Sequence, residues 1–499
     1  MWAGQWRQTA WASLGEAWDV IIIGGGITGA GLAREAARAG LRTLLVEQRD
    51  FAWGASSRSS KLVHGGLRYL PQGHVRLVRD SARERERLLI QAPGLVEPVG
   101  FLLISRRGDR PGLLVNRVGL AVYDRLAGRR TSRAYSAPEL LELAPRLEPG
   151  ALIGGIGYGE AWTDDARLVL RTLGEAVADG AVAFNYVVAE QLLRRGDQVA
   201  GVRLRDGLDD RTADVYGRVV VNATGPWADR LSDQVGVPAR LRPLRGSHLA
   251  FPDWRLPLAQ GIGFLHPIDR RYVFVLPWEG ATVVGTTDLD HDQPLTDEPT
   301  VTPAEVAYLM AAVTSQFPAL NLTLDDVVST WSGVRPIIAG GRDAPSREGR
   351  DYAIWEDHGL VTVTGGKLTT YRLMASAVLA RLAARYPDWQ HLARPANEPP
   401  AEPIGAAPAG GVALSQARWR RLSGRLGSAG AAALVATARS GELDSIPGTP
   451  YLWAELRWAA RLEGVVHLDD LLLRRLRLGL LSPALSLFYR IADISKLAS

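Results

Sequence analysis

A glycine-rich turn between two apolar segments constrains this chain more than any other feature. Residues 19–23, Asp-Val-Ile-Ile-Ile, are apolar and β-branched after the first residue, which is typical of a strand buried on both faces. The next six residues have the spacing GxGxxG, and the small, apolar residues 30–39 predict a helix. A second apolar strand, residues 42–47, ends on Glu47. The sequence therefore predicts a βαβ unit whose helix N-terminus faces a diphosphate.

The glycines and the acid of this unit have separate predicted roles. Gly24 allows the tight turn, Gly26 lets the backbone approach the diphosphate, and Gly29 lets the helix pack closely on the strand. Glu47 lies 23 residues after Gly24, at a distance where a carboxylate accepts hydrogen bonds from ribose hydroxyls. Because this carboxylate would repel a 2′-phosphate, FAD or NAD is favoured over NADP.

Composition limits the chemistry available to the chain. Its 499 residues contain no cysteine, which excludes thiolate nucleophiles, cysteinyl flavin linkage and cysteine-ligated iron–sulfur clusters within it. The eight histidines show no metal-binding spacing, so no metal site is predicted. No apolar run reaches the ~18 residues needed to span a bilayer. Residues 1–18 carry four tryptophans and predict an amphipathic or disordered extension rather than a signal peptide.

Arginine supplies all but three of the 58 basic residues. Two of the three lysines, Lys61 and Lys367, nevertheless lie in motifs rich in glycine, serine and threonine. A compact ammonium differs from a forked guanidinium in reach and hydrogen bonding, so both lysines are predicted to be functional. The net charge of +5 suits an anionic membrane surface or an anionic substrate. No nucleic-acid-binding motif is present, and no such partner is predicted.

Later strand-to-turn patterns predict the rest of a cofactor and substrate site. Residues 218–227 form a buried strand that runs into an Ala-Thr-Gly turn, which is typical of flavoproteins. A strand from residue 182 to Val188 ends near the adenine side of the cofactor. Residues 240–288 predict an inserted substrate-binding sheet. A helix after Thr369 aims its N-terminus at the isoalloxazine, where its dipole stabilises negative charge.

Taken in order, these motifs resemble the FAD-dependent glycerol-3-phosphate dehydrogenases of the aerobic, respiratory type. The most specific strings are residues 56–70, SSRSSKLVHGGLRYL, and residues 365–372, GGKLTTYR. Residues 463–475 resemble the helical cap domain of that family. The absence of cysteine separates the chain from the related anaerobic type, which carries a cysteine-rich extension. The other matching segments are residues 23–31, 162–168, 222–227, 245–248, 285–288 and 332–336.

The resemblance implies an α/β fold with three parts. A Rossmann-like FAD-binding domain is combined with a β-rich substrate domain, as in the two-domain flavoproteins typified by D-amino-acid oxidase, and a helical C-terminal cap domain follows. The expected ranges are an extension over 1–18, FAD-binding segments over about 19–75, 155–235 and 335–385, substrate-binding segments over about 76–154 and 236–334, a linker over 386–412 and a helical domain over 413–499.

The resemblance also implies a reaction. The family oxidises sn-glycerol 3-phosphate to dihydroxyacetone phosphate by hydride transfer from C2 to flavin N5, and passes the electrons to a membrane quinone. A cytoplasmic homodimer, peripherally associated with the membrane, is therefore expected. Two alternatives stay open, namely a glycerol-3-phosphate oxidase that uses oxygen and a redox-sensing FAD-binding protein without turnover.

The resemblance assigns residues to this chemistry. A phosphate dianion needs fixed cations, and Arg68, Arg335 and Lys367 are expected at the substrate, with Arg335 also counted as catalytic. Tyr69 and Thr370 are further substrate-binding candidates. Because arginine is a poor base, a histidine is expected to accept the hydroxyl proton, either His64, which is favoured, or His248. Cofactor contacts are predicted for Gly24, Gly26, Gly29, Glu47, Ser56, Ser57, Ser60, Lys61, Val188, Ala223, Thr224, Gly225, Gly366, Leu368 and Thr369.

Two arginine-rich parts of the sequence are candidates for the protein surface. Residues 79–87 are predicted to form the solvated face of a helix. Residues 471–481 and 485–491 are rich in apolar side chains and arginine. They either lie on an anionic membrane interface or pack within the cap domain.

Overall fold

A computed structural model describes residues 2, 4–341, 348–393, 404–407 and 414–482, with the side chains of residues 68, 71 and 72 outside this set. The strands are β1 Trp18–Ile23, β2 Thr43–Val46, β3 Leu62–Val63, β4 Val96–Arg106, β5 Arg133–Ser136, β6 Leu152–Thr163, β7 Val182–Phe184, β8 Val187–Arg195, β9 Gln198–Asp206, β10 Thr212–Asn222, β11 Leu241–Pro252, β12 Gly261–Leu265, β13 Tyr272–Trp278, β14 Ala281–Gly285, β15 Leu289–Asp290, β16 Ser329–Ile338, β17 Tyr352–Asp357 and β18 Leu360–Gly365.

Helices cover both sheets and make up most of the C-terminal part. They are α1 Trp6–Ala12, α2 Ile27–Arg38, α3 Val75–Gln91, α4 Leu113–Ala127, α5 Ala137–Leu143, α6 Asp165–Ala178, α7 Ala228–Asp233, α8 Pro303–Gln316, α9 Tyr371–Arg385, α10 Gln416–Leu426, α11 Ser428–Ala436, α12 Trp453–Leu462, α13 Leu468–Asp470 and α14 Leu478–Leu481. A π-helical turn, Leu471–Arg475, joins α13 to α14.

The first sheet contains the predicted βαβ unit. Its strand order is β17-β18-β10-β1-β2-β7, and all neighbours are parallel except the edge strand β17. The apolar side chains of β1 are buried on both faces, since α2, α6 and α9 cover one face and the antiparallel β8–β9–β10 meander packs on the other. The predicted strand, glycine turn, helix and second strand are confirmed, with bounds that shift by up to three residues.

The second sheet is the predicted β-rich layer. Its main order is β15-β11-β14-β13-β12-β4-β6-β3, with β16 paired to β11 and β5 paired to β6. Helices α5 and α8 pack on one face, and α3 and α4 pack on the other. Because β6 belongs to this sheet and α6 to the first, the chain crosses between layers near Asp164, which caps α6. We therefore propose that the second FAD-binding segment begins near residue 164 rather than 155.

The N-terminal extension packs on the first sheet. The indole of Trp2 donates a 2.9 Å hydrogen bond to the carbonyl of Ala183, and Trp2 is 5% exposed. On α1, Arg7 donates to the carboxylate of Asp206. Of the two predictions for this segment, a disordered extension is wrong for the residues described, because aromatic and ionic contacts fix it.

The C-terminal helices enclose two small apolar cores. Leu471, Leu472 and Leu476 are buried in one of them, and Arg475 and Arg477 form buried ion pairs. Packing within the cap domain is therefore confirmed for residues 471–481, and the membrane-interface interpretation of this stretch is wrong. Residues 485–491 lie outside the described residues. In the described part of the chain, no helix is long and apolar enough to cross a bilayer.

Candidate active site

The two sheets meet around a cavity of about 1140 Å³. The first sheet lines it with the carboxyl ends of β1, β2, β10 and β18, which is where open α/β sheets bind ligands. The second sheet lines it with side chains of β4, β6, β13 and β16, and α4 borders it. One cavity therefore joins the predicted cofactor site to the predicted substrate sheet.

The glycine turn forms a cradle at the N-terminus of α2. Gly24 has a φ of +118°, and a Cβ there would lie 2.5 Å from the carbonyl oxygen of Ala223. A Cβ on Gly29 would lie 1.9 Å from the carbonyl oxygen of Gly24, so this glycine allows the predicted close packing. The hydroxyl of Ser56 accepts a 3.0 Å hydrogen bond from the N–H of Ile27. Gly24 and Gly26 line the cavity without side chains, so the cradle leaves room at a helix N-terminus for the diphosphate of a dinucleotide.

Glu47 closes the far side of the cradle. Its carboxylate accepts hydrogen bonds from the N–H groups of Gly25, at 2.7 Å, and Arg49, at 2.9 Å. Burial raises the pKa of Glu47, and these two N–H groups oppose that rise. Twelve predicted cofactor contacts line the cavity, namely Gly24, Gly26, Glu47, Ser56, Ser60, Val188, Ala223, Thr224, Gly225, Gly366, Leu368 and Thr369. Gly29, Ser57 and Lys61 lie behind the lining.

Lys61 lies behind the cavity lining, whereas the sequence predicted it beside the flavin. Its side chain is fully buried, and its ammonium donates to the carbonyl of Ser57, at 2.7 Å, and to both carboxylate oxygens of Asp165, at 3.0 Å. A buried ammonium needs such acceptors, and Asp165 lies 104 residues further along the chain. Burial and repulsion by Arg477 lower the pKa of Lys61 to about 8. Lys61 therefore fixes the serine-rich segment from behind.

The two candidate bases occupy different environments. His64 lines the cavity, with its ring 6.2 Å from that of Tyr69. His248 is 1% exposed and lies behind the lining, with its Nε2 2.8 Å from the hydroxyl of Ser60 and its ring stacked on Trp331. Burial holds the pKa of His248 well below its usual value, so this ring is neutral at pH 7. Only His64 of the two faces the site.

Lys367 is fitted closely into the cavity wall. Its ammonium lies 4.2 Å from the ring centroid of Tyr69 and donates a 3.2 Å hydrogen bond to the hydroxyl of Ser81. Gly66, whose φ of +82° favours glycine, leaves space for this ammonium, since a Cβ there would lie 2.6 Å from it. Thr370 is 2% exposed and lies behind the lining, where its hydroxyl donates to the carbonyl of Lys367. It does not face the cavity, in contrast to its predicted role as a substrate-binding residue.

Arg335 lines the cavity near the ends of β14 and β16. Its guanidinium donates to the hydroxyl of Thr286, at 3.0 Å, and to the carboxylate of Asp288, at 3.2 Å. A Cβ on Gly246 would lie 2.0 Å from the guanidinium, so this glycine makes room for it. The backbone of Arg68 lies in the turn Leu67–Gln72 beside the cavity, but its side chain is outside the described part.

Three cavity-lining arginines were not predicted as site residues, namely Arg58, Arg230 and Arg350, and Arg350 lies beside the predicted Arg335. The side chain of Arg350 is 5% exposed, lines the same cavity and donates a 2.8 Å hydrogen bond to Asp288, which also binds Arg335. Arg350 stands in no glycine turn or strand motif. No local sequence pattern therefore marks Arg350, and its place in the cavity depends on its tertiary contact with Asp288.

The prediction that residues 79–87 form a solvated face is wrong for Glu84 and Arg85, which are 6% and 2% exposed. Arg85 donates a 3.0 Å hydrogen bond to the carboxylate of Glu160, a cavity-lining residue of β6. The same carboxylate accepts hydrogen bonds from the Tyr123 hydroxyl, at 2.9 Å, and from the N–H of Gly65, at 3.1 Å. Because Gly65 follows His64, this cluster positions the candidate base.

We expect Glu160→Gln to lower the free energy of unfolding by about 3 kcal/mol, because it leaves the Arg85 guanidinium buried beside a neutral amide. Urea denaturation measures the change. Glu86→Gln is the matched control, since Glu86 is a more exposed partner of the same arginine and should cost less than about 1 kcal/mol. Equal losses in the two variants would contradict the role given to Glu160.

A glycine cradle on a parallel sheet, joined by one cavity to a second, cation-bearing sheet, is the arrangement of the two-domain FAD-dependent oxidoreductases. The model of the FAD dependent oxidoreductase family matches residues 19–386, and that of the C-terminal domain of alpha-glycerophosphate oxidase matches residues 362–496. These matches confirm the predicted fold class and the FAD cofactor.

Curated and solved relatives narrow the class. The chain is 42% identical over 368 residues to the aerobic glycerol-3-phosphate dehydrogenase of Bacillus subtilis, covering 72% of this chain and 66% of that protein. It is 38% identical to glycerol-3-phosphate dehydrogenase 2 of Mycobacterium tuberculosis, covering 96% and 84%. The FAD complex of the glycerol-3-phosphate dehydrogenase from Bacillus halodurans has a TM-score of 0.77 and 30% identity, covering 100% and 94%. The chain belongs to the family of FAD-dependent glycerol-3-phosphate dehydrogenases.

Proposed function

We propose that this chain oxidises sn-glycerol 3-phosphate to dihydroxyacetone phosphate. The observation that carries the proposal is that Arg335, Arg350 and Lys367 line one cavity with the FAD cradle. A neutral alcohol or an amino acid would not need three cations. The names of the relatives at 38–42% identity agree with this substrate.

The three cations bind the phosphate dianion in this proposal. Two guanidiniums share the carboxylate of Asp288, which orients both and offsets part of their mutual repulsion. Lys367 approaches from the opposite motif and is oriented by Ser81 and Tyr69. Charge-assisted hydrogen bonds from fixed donors give the phosphate both affinity and a defined orientation.

Oxidation at C2 removes a hydride from carbon and a proton from the hydroxyl. Bound FAD supplies the acceptor for the hydride, at N5. His64 accepts the hydroxyl proton, because it is the candidate histidine that lines the cavity. Leu368 and Thr369, at the start of the segment that leads into α9, line the same cavity, so the positive end of this helix favours negative charge there.

Anaerobic mixing with substrate tests this function. We expect sn-glycerol 3-phosphate to abolish the oxidised-flavin absorbance band of the FAD-loaded protein, whereas glycerol, which lacks the phosphate, leaves it unchanged over the same time. A band that persists with glycerol 3-phosphate would reject the dehydrogenase and favour the redox-sensing alternative.

We propose a membrane quinone as the electron acceptor. On α4, the apolar residues Leu114, Val115 and Val118 are 73%, 62% and 59% exposed, and Val122 is 44% exposed. All four also line the cavity. An exposed apolar stripe at the cavity mouth suits an acceptor that enters from the acyl region of a lipid leaflet.

Exposed arginines flank this stripe. Arg117 and Arg125 lie on α4 itself, and Arg107, Arg110 and Arg130 lie in the adjoining segments. An apolar stripe bordered by cations is typical of a surface that rests on anionic lipid. We therefore propose that α4, rather than residues 471–481, contacts the membrane.

Vesicle flotation measures this contact. We expect the protein to bind phosphatidylglycerol vesicles more tightly than phosphatidylcholine vesicles. The double variant Arg117→Glu, Arg125→Glu should bind the phosphatidylglycerol vesicles at least about 30-fold more weakly, because each lost cation contributes ~1 kcal/mol. Val118→Glu should weaken this binding as well. Leu324→Glu, at a residue that is 61% exposed on another turn, is the control. Equal binding by all variants would reject the α4 surface.

The oxidase alternative differs only in the acceptor. After reduction by glycerol 3-phosphate, we expect a soluble quinone analogue to reoxidise the flavin faster than dissolved oxygen does. Faster reoxidation by oxygen, with one hydrogen peroxide formed for each product, would favour the oxidase.

A further inference from the structure

The segment between β2 and β3, residues 47–61, faces the cavity on one side and the C-terminal helices on the other. One face lines the cavity, with Glu47, Ser56 and Ser60 among the lining residues. The other face carries Asp50, the carbonyl of Ser57 and Lys61, which lie behind the lining. The cavity face contacts the cofactor in our interpretation, whereas the rear face meets arginines from the C-terminal helical domain.

The first rear contact is Asp50, which is fully buried. Arg475 holds its two carboxylate oxygens with hydrogen bonds of 2.7 and 2.8 Å, and Arg474 binds the same carboxylate. Burial alone would raise the pKa of Asp50, but the two guanidiniums outweigh it and hold this pKa below its usual range. Asp50 is therefore an anion, and its partners lie more than 420 residues away in the sequence.

The second rear contact is Arg477, which is 1% exposed and has a φ of +58°. Its guanidinium donates to the carbonyl of Ser57, at 3.2 Å, and to the carboxylates of Asp164 and Asp165. Asp165 also accepts hydrogen bonds from the N–H and the hydroxyl of Ser59, at 2.9 and 2.7 Å. Arg477 therefore holds the serine-rich segment both directly and through Asp165.

These arginines are fixed within their own domain. Arg474 and Arg475 belong to the turn Leu471–Arg475, and Arg475 also donates to the carbonyl of Glu463. Arg167 of α6 binds the carboxylate of Glu463, which ties the same turn to the first layer. Separating the C-terminal domain from residues 47–61 would leave buried charges on both sides without their partners, so the two parts change position together.

We propose that Arg475 and Arg477 are positioning residues for the FAD-binding segment 47–61, and that docking of the C-terminal domain and binding of FAD favour one another. By thermodynamic reciprocity, the factor by which the docked domain tightens FAD binding equals the factor by which FAD stabilises docking. The inference uses the FAD cofactor and is independent of the proposed substrate, so it can fail while glycerol 3-phosphate oxidation holds.

Hydrogen exchange on the unaltered protein tests the coupling. We expect FAD, added to protein from which it has been removed, to slow amide exchange in residues 50–61 and also in residues 468–482, which do not line the cavity. Helix α8, in the substrate layer, serves as the reference and should change little. Protection confined to the cavity-lining residues would overturn the proposal.

A set of variants provides the second measurement. We expect Arg477→Gln to weaken FAD binding about 10-fold, read from the quenching of FAD fluorescence, and Arg477→Lys to recover part of the loss. Arg457→Gln is the matched control, because Arg457 pairs with Glu442 inside the C-terminal domain, and it should bind FAD as the unaltered protein does. A folded Arg477→Gln variant with unchanged FAD affinity would overturn the proposal. If that variant does not fold, the exchange experiment decides.

Discussion

Arg335→Ala is expected to reduce kcat/KM for glycerol 3-phosphate by roughly 10²–10⁴, while FAD stays bound. The variant removes a fixed guanidinium from the cavity, and each lost charge-assisted hydrogen bond to phosphate costs about 1.5–3 kcal/mol. It also leaves the carboxylate of Asp288 with one cation fewer, so this anion repels the phosphate more strongly. Anaerobic stopped-flow measurement of flavin reduction gives the change directly.

Arg271→Ala is the matched control for this variant. Arg271 approaches the same Asp288 carboxylate at 3.7 Å but lies outside the cavity lining. We expect it to leave kcat/KM within a few fold of the unaltered value. If Arg335→Ala and Arg271→Ala behave alike, Arg335 does not bind the phosphate.

His64→Gln is expected to slow flavin reduction at saturating substrate by roughly 10²–10⁴, the usual contribution of a general base. Glutamine keeps a polar side chain at the cavity wall but cannot take up the hydroxyl proton. FAD binding should persist, because the cradle does not include this residue.

His248→Gln separates the two candidate bases. Burial keeps His248 neutral at pH 7, and its Nε2 faces Ser60 behind the cavity lining. We expect this variant to slow flavin reduction less than His64→Gln does, because the His248 side chain does not face the cavity. A larger loss of rate in His248→Gln than in His64→Gln would reverse the assignment.

Local sequence patterns predicted the parts of the site that depend on local structure. Gly24 and Gly29 could be assigned because backbone geometry at a strand-to-helix turn leaves no space for a side chain. Glu47 could be placed because the carboxyl ends of adjacent parallel strands lie at one edge of the sheet. Lys367 could be selected because lysine is rare in this chain and stands in a glycine turn.

The residues that were misplaced or missed depend on distant partners. The ammonium of Lys61 turns away from the cavity because Asp165 lies behind it, and no local pattern specifies that pairing. Arg85 is buried because Glu160, on a strand of the second sheet, neutralises it. Arg350 joins the cation group through Asp288, which is 62 residues away in the sequence. Pairing of buried charges is set by tertiary structure, which periodicity and composition do not encode.

The most direct test of the central claim uses glycerol 3-phosphate deuterated at C2 in a single anaerobic turnover. We predict that deuteration slows flavin reduction and that the product is dihydroxyacetone phosphate, one for each FAD reduced and without deuterium. Flavin that stays oxidised in FAD-loaded protein, or a product that keeps the deuterium, would contradict the account.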